Sequence, residues 1–195
     1  QDLPAGDFAS WLREFRAAQR DGSTMDVPCG DCRACCTSSY FLHVGPDETA
    51  TLARIPGELL FPAPEAPQGH LVMGYDAHGH CPMFRDGECS IYEDRPSTCR
   101  AYDCRVFAAA AIDADRPAIT QRARRWAFGY ATEGGRELPQ AVRAAARYLQ
   151  PHPERFTDGA APTLLLCAEE ADGEAAGRPP PGQAEIVPVR RCSNG

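Results

Sequence analysis

Apolar residues fall at helical spacing over residues 7–20, where Phe8, Trp11, Leu12, Phe15 and Ala18 share one stripe. Asp21-Gly22 ends that helix. The stripe reads as a packing face that closes one side of the loop that follows. Residues 40–44, Tyr-Phe-Leu-His-Val, predict a short strand in which His43 is buried and hydrogen-bonded. Gly45-Pro46-Asp47-Glu48 opens a second helix, since Pro suits a first turn and acids suit its positive end. Ala50, Leu52, Ala53 and Ile55 would form its buried side. Residues 56–70 are rich in Pro and Gly and predict an irregular loop. Leu71–Tyr75 predicts a strand, followed by a turn at Asp76–Gly79.

Two short apolar runs, Cys81-Pro-Met-Phe84 and Cys89-Ser-Ile-Tyr92, flank Arg85-Asp86-Gly87-Glu88. Asp-Gly between such runs signals a hairpin, here with a four-residue loop. Pro96 is placed to begin a helix. Residues 117–130 predict a helix with Ile119, Ala123, Trp126 and Ala127 inward. Arg116, Arg122, Arg124 and Arg125 would form its solvated basic face. Residues 138–150 predict another helix, with Leu138, Val142, Ala145, Ala146 and Leu149 inward. Asp158 would cap a short apolar segment, Pro162–Ala168, that buries Cys167. From Glu169 to Gln183 the composition turns to Glu, Ala, Gly and Pro, as in a linker or loose tail. Ile186–Val189 would add an edge strand, and there is no internal repeat.

The cysteines change this picture most. Cys29-x2-Cys32-x2-Cys35-Cys36 is answered downstream by Cys81, Cys89, Cys99 and Cys104. Two-residue gaps let a single turn of backbone aim neighbouring sulfurs at one point, and Gly30 allows the sharp turn between them. Disulfide frameworks tend to spread their cysteines so that each bridge closes a longer loop, so metal is the preferred reading. The first three thiols follow the rhythm by which bacterial ferredoxins hold three corners of a four-iron cluster, with the fourth corner coming from a distant cysteine. The rival is zinc, bound by four of these thiols at a time. Cys99 and Cys104 diverge on a straight helix, so either the helix ends near Asp103 or the two serve different metals. His78 and His80 precede Cys81 but read as an exposed turn. Arg95 and Arg100 would offset cluster charge or pair with Glu93, Asp94 or Asp103, while Tyr92 and Tyr102 pack around the site. Cys192 reads as a bystander.

The fold class expected is therefore α+β: a small, irregular, metal-organised domain with a β-hairpin, covered by three or four helices. Residues 1–168 form one domain, with a metal half at 29–104 and a helical half at 105–168, and residues 169–195 form the tail. The 195 residues suffice for a real core, so metal need not be the sole source of order. A net charge of −7 argues against general binding of nucleic acid or anionic membranes. There is no membrane-length apolar run and no basic-then-apolar opening segment, which points to a cytoplasmic protein. All 20 basic residues are Arg, which excludes Schiff-base and Lys general-base chemistry. Phosphate-binding Gly loops, His-Glu-x-x-His, Gly-x-Ser-x-Gly and dinucleotide fingerprints are absent from the sequence.

The run from Cys29 to Cys36, followed by Cys-Pro-Met-Phe-Arg-Asp-Gly-Glu-Cys-Ser-Ile-Tyr-Glu-Asp-Arg-Pro-Ser-Thr-Cys-Arg-Ala-Tyr-Asp-Cys, resembles the YkgJ family of CxxCxxCC cysteine-cluster proteins. The resemblance covers residues 29–104. It implies that Cys29, Cys32, Cys35, Cys36, Cys81, Cys89, Cys99 and Cys104 are the pool of ligands for zinc or iron. Flagellin lysine-N-methylases carry a similar cysteine motif associated with an iron–sulfur centre, but this chain is much shorter and shows no matching substrate region. Three functions stay open at this point. The leading one is an iron–sulfur protein, four-iron favoured, with a redox, sensing or cluster-assisted role. A structural zinc module engaging a protein partner and a methyltransferase-like enzyme are the alternatives.

Overall fold

The computed structural model describes residues 2–149 apart from 22, 26 and 132–136. The apolar segment around Cys167, the strand at 186–189, the tail and Cys192 lie outside the described residues. The expected α+β class is observed, with short sheets between helices.

The first strand, β1 (Leu3–Asp7), runs directly into α1 (Phe8–Asp21). Asp7 makes the junction. Its Oδ1 accepts the Ser10 amide at 3.0 Å, an N-cap bond, and its Oδ2 accepts the Ala131 amide at 2.9 Å. These backbone bonds hold the Asp7 carboxyl below its ordinary pKa. The predicted stripe is the buried one: Phe8, Trp11, Leu12, Phe15 and Ala18 pack with Val106, Ala109, Ala110, Val142 and Ala146. The last five belong to α4 (Arg105–Ala110) and α6 (Leu138–Leu149). The stripe thus packs chiefly against two helices, and it meets the chain leading into the cysteine loop only at Met25 and Val27.

A second core lies under a three-stranded antiparallel sheet. Its strands β2 (Leu42–Val44), β3 (Leu60–Pro62) and β4 (Leu71–Met73) are ordered β2-β4-β3. Val44, Ile55, Met73, Met83 and Ile91 fill this core, and Cys81 and Cys89 pack against it. Strand β3 was expected to be irregular loop. It forms because it is an edge strand, where Pro62 has no ladder donor to lose. His43 is exposed, contrary to expectation, because it alternates with fully buried Val44 across the pleat. In α2 (Thr49–Arg54) the buried contacts come from Thr51, Leu52 and the following Ile55, while Ala50 and Ala53 face solvent.

The hairpin is present, with β5 (Phe84–Arg85) against β6 (Glu88–Cys89). Its loop has two residues, not four, because Arg85 and Glu88 are themselves paired. Asp86 at φ +52° and Gly87 at φ +82° make the tight turn whose twist matches the strands.

The largest departure from expectation is at residues 126–129. The helix predicted over 117–130 stops as α5 (Pro117–Ala123), and the chain continues as β7 (Trp126–Gly129). This strand pairs in parallel with β1, Leu3 opposite Trp126 and Asp7 opposite Gly129. A contact across more than a hundred residues overrides the local helical pattern, and Ala127 ends up exposed. Ala5, Cys104, Ile119 and Trp126 are buried together in a third core, with Val27, Ala34, Tyr40 and Tyr102 packed on it. Among the described residues no helix is long and apolar enough to cross a membrane.

Candidate metal centre

The first cysteine loop is a series of backbone turns. The Cys32 amide donates to the Cys29 carbonyl at 3.0 Å, and Gly30 between them has φ +57°, a conformation that favours glycine. Arg33 braces the loop from outside. Its Nη1 donates to the carbonyls of Gly30 and Cys32, both at 2.9 Å, and its Nε donates to the Gly87 carbonyl at the hairpin tip at 2.9 Å. A 3-10 turn, Cys35–Thr37, follows and buries none of its residues. The Cys81 amide then donates to the Cys36 carbonyl at 2.8 Å, and the Ser39 amide to Gly79 at 2.8 Å. These bonds bring the second cysteine group to the first.

The hairpin carries Cys81 and Cys89 on one side of the sheet core. The Phe84 amide donates to the Cys81 carbonyl at 2.8 Å, and Phe84 pairs with Cys89 across the strands. Cys99 is on α3 (Ser97–Ala101). That helix is tied down by Glu48, whose Oε2 accepts the Ser97 amide at 2.6 Å and whose Oε1 accepts the Ser97 hydroxyl at 2.9 Å. The same Oε1 accepts the Gly45 amide at 2.8 Å, so one carboxylate holds the starts of α2 and α3 together.

Cys104 lies past a break in the helix. Residues 102–104 separate α3 from α4, and Asp103 occupies the break with its side chain wholly buried. Asp103 accepts Trp11 Nε1 at 2.8 Å and pairs with Arg105 at 2.8 Å, and Arg105 also donates to the Ala5 carbonyl at 3.2 Å. An ion pair this deep costs desolvation, which the extra hydrogen bonds offset. The break turns Cys104 toward Trp126, whose indole Nε1–H donates to Cys104 Sγ at 3.2 Å. The Arg122 guanidinium stands 4.8 Å over the Trp126 ring and donates to the Cys29 carbonyl at 2.8 Å. Arg122 is only 9 % exposed, which corrects its place on a solvated basic face.

All eight predicted cysteines are free thiols, Cys35 exposed, Cys104 buried and the other six between. Burial pushes the thiols of Cys29 and Cys81 up, Cys99 to about 12 and Cys104 to about 11. Neighbouring sulfurs add to this: Cys35 and Cys32 on Cys29, and Cys35, Cys81 and Cys89 on Cys99. Cys35 and Cys36 share a hydrogen bond that draws Cys35 down to about 7 and pushes Cys36 up.

The donor set suits a thiophilic metal such as zinc or iron. As placed, no three His, Cys, Asp or Glu side chains among the described residues come close enough to hold one ion. The thiols are gathered in one region without closing on a single point.

The other expected site residues separate clearly. His78 is exposed, and the amides of His78 and His80 cap the turn by donating to Asp76 Oδ1 at 2.8 and 2.9 Å. The His80 ring stacks edge-on to Phe84 at 5.8 Å. Arg100 reaches Glu48 at 3.7 Å, and Arg95 lies 4.0 Å over the exposed Tyr92 ring. Tyr92 therefore does not pack around the thiols, whereas Tyr102 packs in the core that holds Cys104. Sequence reasoning missed Arg122, Trp126, Asp103 and Glu48 as neighbours of the cysteines. Arg122 carried a usable signal, since it shares a helical stripe with Ile119 and Ala123.

Residues 28–118 match a family model, CxxCxxCC, described as "Putative zinc- or iron-chelating domain". The match includes all eight cysteines and stops short of Arg122 and Trp126. Comparisons with curated proteins and with solved structures return no match.

Proposed function

We propose that this chain, whose residues 28–118 match the CxxCxxCC model of a zinc- or iron-chelating domain, is an iron–sulfur protein with a redox, sensing or cluster-assisted role. Cys29, Cys32 and Cys35 would hold a four-iron cluster together with one downstream thiolate. When bound, such a group supplies one-electron chemistry. The chain's own residues hold it, shield it and set the charge around it.

The observation that carries this reading is the company the thiols keep. An indole N–H points at Cys104 Sγ, and a buried guanidinium sits between Cys29 and Trp126. Hydrogen bonds to thiolate sulfur and nearby positive charge are the means by which a protein raises the potential of a cluster. A structural zinc ion has no potential to tune. The experiment is to measure iron, zinc and acid-labile sulfide per chain on protein purified without oxygen, with its visible spectrum. Brown protein with near-equal iron and sulfide is the expected result.

The second reading, a structural zinc module with a protein partner, is favoured by one observation. Two open surface depressions, of about 250 and 820 Å³, are lined by no cysteine. No substrate space therefore adjoins the thiols at either of them. Colourless protein with stoichiometric zinc would select this reading.

A further inference from the structure

Among the described residues, only one face of the three-stranded sheet is covered. Across the strands Leu42, Met73 and Leu60 stand in one row, and His43, Val72 and Phe61 in the next. The first row belongs to the core on which Cys81 and Cys89 pack. The second row faces the other way, because successive side chains of a strand alternate between faces. Phe41, two residues before His43, continues that outer face. Its ring lies 3.4 Å from where a Cβ on Gly74 would stand, and it packs on Tyr75 with ring centroids 5.2 Å apart. Phe41 is 61 % exposed, Phe61 56 % and Tyr75 44 %. Among the described residues no other phenylalanine is exposed.

We propose that the C-terminal segment Thr163–Cys167 of the same chain docks on this outer face, with Leu164, Leu165 and Leu166 against Phe41, Phe61 and Tyr75. The segment can reach it. Residues 150–161 join it to the end of α6 at Leu149 and can span up to about 40 Å. A domain of about 150 residues has a radius of gyration of only about 15 Å, so every face lies within that reach. Leu164–Leu166 is an unbroken apolar run, whereas the other apolar run beyond α6, Ile186–Val189, is interrupted by Pro188. The area decides between this segment and a second copy of the chain. Three aromatic rings with about half their surface free present roughly 300 Å². That is the size of patch that marks a binding surface, but a stable interface between two proteins needs about 800 Å² from each partner. A tethered segment acts at an effective concentration on the order of millimolar, so a small contact suffices for it. The contact closes the back of the sheet whose front carries Cys81 and Cys89, and it uses residues beyond the 28–118 match.

The test is hydroxyl-radical footprinting of the full chain, read residue by residue by mass spectrometry. Tyr92, 58 % exposed, is the open-surface reference for Tyr75. In the wild-type chain Tyr75 should be labelled several-fold less than Tyr92, at every dilution. Leu165→Glu should raise the labelling of Phe41, Phe61 and Tyr75 several-fold and leave Tyr92 unchanged. Val187→Glu, in the other apolar run, should change none of the four. Wild-type Tyr75 labelled as heavily as Tyr92 overturns the proposal, because the face is then open. Protection that is lost on dilution overturns it in favour of a second copy. Protection that survives Leu165→Glu, or that Val187→Glu removes equally, overturns it in favour of another occupant. The wild-type comparison and its dilution series are decisive even if a variant does not fold, and no readout depends on which metal the thiols hold.

Discussion

Phe8, Trp11, Leu12 and Phe15 of α1 are each at most 2 % exposed, and they meet small residues of α4 and α6 in a continuous apolar contact. Around the first four cysteines the side chains are mostly half-buried or exposed. The 3-10 turn at Cys35–Thr37 has no buried residue, nor has α3, which carries Cys99. Order there comes from backbone turns, from Arg33 and from the Glu48 carboxylate. The helical part is stabilised by burial. The cysteine part has elements of two to six residues, too short to stand without tertiary support, and eight thiols that would gain that support by sharing metal. The two parts meet at Asp103, which joins Trp11 of α1 to the turn that presents Cys104.

This contrast can be broken from the helical side first. Phe15→Ala should cost about 3–5 kcal/mol, the usual range for emptying a buried aromatic site. Denaturant titration should show that loss equally in metal-free and metal-loaded protein, because Phe15 touches neither cysteine group's core.

A smaller effect comes from the cysteine side. Glu48→Ala removes the acceptor for Gly45 and for the amide and hydroxyl of Ser97, at a cost of about 2 kcal/mol. Unlike Phe15→Ala, it should also weaken metal retention, since it frees the helix that carries Cys99. Competition with a coloured chelator would measure this. Equal metal affinity in the two variants would remove the distinction between the regions.

The smallest effect at neutral pH is that of pH itself. Burial pushes the Cys99 thiol up to about 12 and the Cys104 thiol up to about 11 in the folded metal-free chain, above the ordinary thiol value of 9.0. A thiol raised by folding leaves the unfolded chain with fewer protons once pH passes 9, so stability is complete below that point and falls as pH climbs through 11–12. Metal-loaded protein should do the reverse, losing metal as pH falls, because protons compete for thiolates. Thermal melts across pH 7–11 with and without metal should therefore diverge.

Much of this was legible in the residues. The α1 stripe and the hairpin are local signals, and both are found, the hairpin with a shorter loop than expected. The missed parts depend on distant contacts. Strand β1 contains Pro4 and Gly6, both poor strand formers, and it is a strand through its pairing with β7. In β7, Trp126 and Ala127 continue a helical stripe, and only the competing partner strand shows that the helix ends at Ala123. The bond from Trp126 to Cys104 spans 22 residues, beyond any spacing rule. Arg122 was assigned to solvent on charge alone, yet a carbonyl and an indole face gave it a place inside.

On the proposed function, metal would order the two cysteine segments while burial orders the helices. Backbone hydrogen exchange on metal-loaded and chelator-stripped protein tests it most directly. The account predicts that stripping abolishes protection at residues 29–36 and 81–104 and leaves α1 and α6 protected. Unchanged protection in the cysteine segments after verified metal loss would contradict it.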